Sequence, residues 1–229
     1  MLTLDVVSPT RPTVPLSFEV AELTLGGYTA RDTSARDAHI EELRTIGIEP
    51  PEQLPAYWPV DPALISTRPR LSVQGPDTSG EVEFVLLFGR DETYVGVGSD
   101  QTDRALERTS IPRSKQVCGK VLAPTVVRFS EVREAWDGLE LSCEVRDGDG
   151  SWHPYQHAAL AAVAEPEQLI RQCYGEGGPP VGAVLMSGTI PLLDGVTRYA
   201  SQYRYALRVP GLAEELAGYY SVDVLPAQR

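Results

Sequence analysis

Hydrophobic and polar positions alternate with a period of two over several short stretches of the chain, and helical spacing is confined to a few places. Residues 16–25 predict a strand that Gly26-Gly27 closes. Asp32, Thr33 and Ser34 then offer N-cap oxygens for a helix over 35–46, in which Ile40, Leu43 and Ile46 recur at helical spacing before Gly47. From 48 to 76 seven prolines and few periodic apolar positions predict turns and extended pieces over the surface, placed to wall a pocket.

The clearest hairpin joins strands over 80–88 and 93–100 through Gly89-Arg90-Asp91-Glu92. Beyond it, 138–147 predicts a strand ending in an Asp-Gly-Asp-Gly turn, with 155–163 pairing back. A short helix follows over 166–174 and a buried strand over 181–189. In 199–209 strict alternation puts Tyr199, Tyr203, Tyr205, Leu207 and Val209 on one face. There is no internal repeat. The pattern predicts an α+β, mainly β fold in one domain spanning 1–229.

Composition agrees: 20 Gly and 19 Pro among 229 residues favour many turns over long helices. A net charge of -12, with no local Lys/Arg cluster, repels phosphate backbones and argues against a nucleic-acid partner. No apolar run reaches the ~18 residues of a membrane span, and the first 20 residues lack a basic start. Cys118, Cys143 and Cys173 are odd in number and widely spaced, which suits small buried hydrophobes in a reducing, cytoplasmic compartment.

In the strand over 80–88, Glu81, Glu83, Val85 and Leu87 share one face while Val82, Phe84, Leu86 and Phe88 share the other. Two acids on one face of an apolar strand need a positive partner, because an unpaired buried carboxylate costs several kcal/mol or takes up a proton. A four-residue turn sets Phe88 against Thr93, and counting outward puts Asp100 across from Glu81. Opposed Cβ atoms lie ~5 Å apart, so three carboxylates converge. One resolution is a hard divalent cation, magnesium or manganese; calcium, which recruits more protein oxygens, suits the set less well. The other is that Glu81 and Glu83 lie at a solvated strand start and Asp100 caps a turn, a reading that a bulge in the hairpin would favour.

The order of these motifs resembles the fumarylacetoacetate hydrolase superfamily over about 28–196. Gly80-Glu81-Val82-Glu83-Phe84-Val85-Leu86-Leu87 resembles that family's E-x-E-L-x-x-V strand, and Ser99-Asp100-Gln101-Thr102-Asp103-Arg104 its D-x-T-x-R-D segment. The resemblance implies a layered mixed β-sheet roll, a metal held by Glu81, Glu83 and Asp100, and a homodimer. Ser114-Lys115-Gln116 stands where the family carries a Lys, implying that Lys115 steadies negative charge on the substrate, with Gln116 beside it in substrate binding.

Gly182 to Ile190 is similar to the family's G-D-x-I-x-T-G-T-P strand and turn, which makes Thr189 a substrate-binding candidate, although Ile190 replaces the usual Pro. His39-Ile40-Glu41-Glu42 resembles an H-x-x-E pair that activates water; three apart on a helix, Glu42 can orient His39, and the same spacing also suits a solvated face. Arg104, four residues past Asp100, is placed either to clamp a substrate carboxylate or to pair with a neighbouring acid. The stretches Gly96-Val97-Gly98-Ser99-Asp100 and Ser114-Lys115-Gln116 also resemble an uncharacterised bacterial family of similar length. His153 and His157 flank Tyr155 on what the spacing makes one strand face, with no acid or Cys nearby to complete a metal site.

Together these imply a metal-dependent hydrolase or lyase acting on a small 2-oxo or 3-oxo acid. The alternative is a protein that binds metal and oxo-acid on the same scaffold without turnover.

Overall fold

The structure, a computed structural model, describes residues 1–34, 37, 51–146, 148 and 150–226. In chain order its strands begin with β1 (Leu2–Val7), β2 (Val14–Phe18), β3 (Glu22–Gly27), β4 (Ala56–Val60), β5 (Ile65–Ser66), β6 (Arg70–Val73) and β7 (Thr78–Ser79). They continue with β8 (Val82–Phe88), β9 (Thr93–Asp100), β10 (Thr102–Asp103), β11 (Lys120–Leu122) and β12 (Thr125–Arg128). The remainder are β13 (Glu140–Arg146), β14 (Trp152–Ala159), β15 (Ala183–Met186), β16 (Gln202–Arg208) and β17 (Leu216–Val224).

Ten of these strands form one mixed sheet, ordered β2-β1-β12-β9-β8-β15-β3-β4, with β11 bridging β9 and β5. A second, five-stranded sheet runs β14-β13-β16-β17-β6. Val82, Phe84, Leu86 and Phe88 pack against Leu141, Val145, Tyr203, Tyr205 and Leu207 of the smaller sheet. On the opposite face, Val85 and Leu87 pack with Leu4, Leu23, Leu25, Leu122, Val126 and Met186, all from strands of the same ten-stranded sheet. A sheet whose own strands supply both sides of a core is curled, so the layered roll implied by the family resemblance is the fold observed. Every residue from Val82 to Phe88 is buried because β8 is the wall shared by the two cores.

The β8/β9 hairpin has the register expected from its turn, with Phe88 paired to Thr93 and Val82 to Ser99. It has no bulge, and the same register continues through β7 and β10, where Ser79 pairs with Thr102. The helix over 166–174 is present as Pro166–Tyr174. Cys118 and Cys143 are buried, Cys173 is half-buried, and all three are free.

Other expectations need correction. The strand over 16–25 is two strands, because Val14–Phe18 folds back on β1 while Glu22–Gly27 pairs with β4 and β15. The proline-rich stretch supplies real strands; among the described residues β4 is an edge strand, which suits Pro59 and its missing N–H. Tyr199 is exposed and precedes β16. The expected shared face of His153, Tyr155 and His157 is broken by an irregularity in β14, which pairs Gln156 with Cys143 but Pro154 with Glu144. Tyr155 and Gln156 are consequently both buried while His157 is exposed. The helix expected over 35–46, with His39 and Glu42, lies outside the described residues but for Asp37.

Close curling requires small residues on the inner face of β9. A Cβ on Gly98 would lie 2.9 Å from the Val121 carbonyl oxygen and 3.0 Å from Val85 Cγ2. Gly98→Val is expected to destabilise the fold by about 1–3 kcal/mol through overpacking, read as a lower urea midpoint with an unchanged slope.

Candidate metal centre

The site grows out of the ladder at the end of the β8/β9 hairpin. Glu81 and Asp100 exchange both backbone hydrogen bonds, at 3.2 and 2.9 Å, which makes them a directly opposed pair. On the other side of β9, Lys120 of β11 pairs with Asp100. Three adjacent strands therefore contribute Glu81, Asp100 and Lys120 to one row. In the next row Gly98 stands between Glu83 and Leu122.

Carboxylate oxygens of Glu81, Glu83 and Asp100 lie within 4.8 Å of one another, with Glu83 and Asp100 buried. The solvated strand start is thereby excluded for Glu83, while Glu81 is partly exposed, and Asp100 is buried in the sheet rather than capping a turn. Burial, reinforced by the charges of Asp100 and Glu81, pushes the Glu83 carboxyl well above its ordinary range; Lys115 and the Gly188 N–H offset this only in part. Burial also acts to raise Asp100, but the ammonium groups of Lys115 and Lys120 outweigh it and hold that carboxyl at about 2.

Lys115 lies in the last turn of the helix Ile111–Gln116 and is buried, with its Nζ 2.5 Å from Asp100 Oδ2. Burial disfavours its charge, yet Asp100, Glu81 and Glu83 together raise its pKa, so it is an ammonium ion. Its Nζ also stands 5.6 Å from the ring centre of Trp58, and Trp58 meets Tyr28 edge-on at 6.4 Å. Tyr28 has a positive φ of 58°, an uncommon conformation for a residue with a side chain. Lys120 is fully buried; its Nζ lies 2.7 Å from Asp100 Oδ1, and burial, with Lys115 adding to it, depresses its pKa despite Asp100.

Arg104 begins a short helix capped by Asp103, whose carboxylate accepts the Leu106 N–H. Its guanidinium is committed to protein acids, with Nη2 2.9 Å from Glu81 and Nη1 2.9 Å from Glu107, while Nε donates to Ser79 at 2.6 Å. Of the two roles left open for it, the structure displays pairing with neighbouring acids. Gln116 is exposed and its Oε1 accepts the Asp61 N–H. Thr189 donates its hydroxyl to the Val82 carbonyl and accepts from Gln156 Nε2 at 2.8 Å.

The turn after β15 closes the site from the side. Gly188, at φ +84°, donates its N–H to Glu83 Oε2 at 2.9 Å, and a Cβ there would lie 2.4 Å from Thr29 Oγ1. Only glycine reconciles that φ with the close approach. Behind the site, Tyr220 donates to Gln101, which donates to Thr78, so a buried chain of polar groups pins the segment after Asp100.

The donor set fits a hard divalent cation. Three carboxylates meet where, among the described residues, Glu83 has one backbone N–H as its hydrogen-bond partner, and carboxylate oxygens are the ligands magnesium and manganese prefer. Lys120, Trp58, Tyr28 and Gln156 were not among the residues singled out from the sequence. Lys120 depends on a pairing across the intervening 101–119 segment, and Gln156 on the irregularity in β14.

Among solved structures, Cg1458 is similar over 96% of this chain and 88% of its own, with a TM-score of 0.65 and 11% identity. The hexagonal crystal form of 2-keto-3-deoxyarabinonate dehydratase matches 90% of this chain and 74% of its own, with a TM-score of 0.63 and 13% identity. 2-Keto-3-deoxy-D-arabinonate dehydratase complexed with magnesium and 2,5-dioxopentanoate matches the same shares at 0.62 and 14%. At these identities the likeness is one of fold. A search of curated proteins returns no match to this sequence. The family model described as "Protein of unknown function (DUF2848)" matches residues 26–220, and the chain belongs to that family.

Proposed function

We propose that this chain is a magnesium- or manganese-dependent enzyme of the lyase type, on the scaffold of the fumarylacetoacetate hydrolase superfamily, acting on a small 2-oxo acid. The observation that carries this reading is the convergence of Glu81, Glu83 and Asp100 within 4.8 Å beside the Lys115 ammonium. A fold neighbour that holds magnesium together with 2,5-dioxopentanoate supports it.

Glu81, Glu83 and Asp100 would hold the cation, which when bound supplies a Lewis acid for an oxo group and an adjacent carboxylate. The chain's own residues do the rest. Arg104 fixes the Glu81 carboxylate and the Gly188 N–H fixes that of Glu83, so the ligands are oriented before anything binds. Lys115 stands where it can steady negative charge that develops on the substrate as a bond breaks, and its burial makes that interaction stronger than in water. Thr189 holds the turn over the site through Val82 and Gln156. His39 and Glu42 are proposed to move a proton or deliver water, and Gln116 to bound the substrate. Dehydration, decarboxylation and hydrolysis of a carbon-carbon bond all demand stabilisation of the same enolate-like charge, and the dehydratase neighbours favour the first.

Magnesium or manganese added to chelator-treated protein is expected to raise the melting temperature, by mass action worth about 2.7 kcal/mol at a hundredfold excess over Kd. Glu83→Ala should abolish that shift; an unmodified protein that shows none defeats the proposal. In a panel of small 2-oxo acids assayed with metal, turnover should fall by about a hundredfold or more in His39→Ala while metal binding survives. Binding of the panel without any turnover by the unmodified protein would identify a non-catalytic binder instead.

A further inference from the structure

Lys120 is completely buried beside the cluster, yet the proposed chemistry gives it no task. An ammonium group has three N–H donors. Here Nζ lies 2.7 Å from Asp100 Oδ1, donates to the Gln101 carbonyl at 2.7 Å, and donates to the Lys115 carbonyl at 2.7 Å. Every donor is therefore taken, and the residue has no solvent-exposed surface. A nucleophilic amine attacking an oxo group needs a free lone pair and access, and Lys120 has neither.

The three acceptors belong to both halves of the site. Asp100 is one of the acids that would hold the cation, and its remaining oxygen is paired with Lys115. The Lys115 carbonyl lies in the last turn of a six-residue helix, where helical carbonyls lack partners within the helix. Lys120 supplies that partner from the neighbouring strand.

We propose that Lys120 is a positioning residue that fixes the Asp100 carboxylate and the Lys115 backbone together, and so aims the Lys115 ammonium at a metal-bound oxo-acid. This rests on the functional reading above. Lys115 already pairs with Asp100 Oδ2; without Lys120, Oδ1 also loses its ammonium partner, and the acid competes more strongly with the substrate for Lys115.

The test measures two probes separately: Mn2+ alone, from the spin-resonance signal of the free ion, and pyruvate, by calorimetry on Mn2+-loaded protein. Lys120→Met is expected to leave Mn2+ affinity unweakened and to reduce pyruvate affinity by about tenfold or more. In a Lys115→Met background the same change should have no further effect on pyruvate, because the two residues act as one unit. A residue that merely supports the fold would not produce that split or that non-additivity. If Lys120→Met does not fold, Lys120→Gln, which retains amide donors for the carbonyls, carries the same comparison.

Unaltered pyruvate affinity, additive losses, loss of Mn2+ together with pyruvate, or a borohydride-trapped pyruvate adduct on Lys120 would each overturn the proposal. An unmodified protein that binds neither probe overturns the functional reading and this inference with it. Binding of both probes by the unmodified protein, with Lys120→Met indistinguishable from it, overturns this inference alone.

Discussion

The site depends on like charge held at close range inside a protein. Glu81, Glu83 and Asp100 come together because they sit on opposed and successive positions of one unbroken hairpin, and the sheet leaves them no room to separate. Such an arrangement is tolerated only where cations answer it. Lys115 and Lys120 answer Asp100, and Arg104 answers Glu81. Among the described residues Glu83 has a single backbone N–H as hydrogen-bond partner, and burial raises its pKa. Among the described residues, the electrostatics thus point to Glu83 as the place where a positive charge is still wanted.

The fold serves that place from both sides. The smaller sheet and its tyrosines hold the outer face of β8, and the inner curl is closed by residues with little or no side chain on β9. Gly98 lets β9 pack closely against Val121 and Val85, while Gly188 brings a donor to Glu83 at a backbone angle that other residues rarely adopt. The preorganisation resides in backbone geometry as much as in charge. Ligand side chains set by strands and a glycine turn are aimed before any ligand arrives.

The hairpin and its register were legible in the sequence because they follow from a short turn and a period of two, both local properties. The placement of Glu81 across from Asp100 needed nothing further. Lys115 was singled out through family resemblance, since a buried lysine 15 residues from its partner has no local signature. Lys120 escaped for a physical reason: its pairing with Asp100 is set by a strand that returns after two short helices, a non-local event. The β14 irregularity likewise defeats a strict alternation count, turning Gln156 inward and separating His153 from the face that carries His157. The strand expected over 16–25 failed because its halves have different partners, which composition does not encode.

The absence of a bulge anywhere from Phe88 to Thr78 gives this hairpin an unusual intolerance. One residue gained or lost in either strand would rotate every following side chain by half a turn, sending the acids into the packed tyrosines and the aromatics into the charged end. The turn between β16 and β17, exposed from Pro210 to Glu215 but for Leu212, faces no such rule. Variation in length within this architecture is therefore channelled into such surface turns, which leave the charged centre undisturbed.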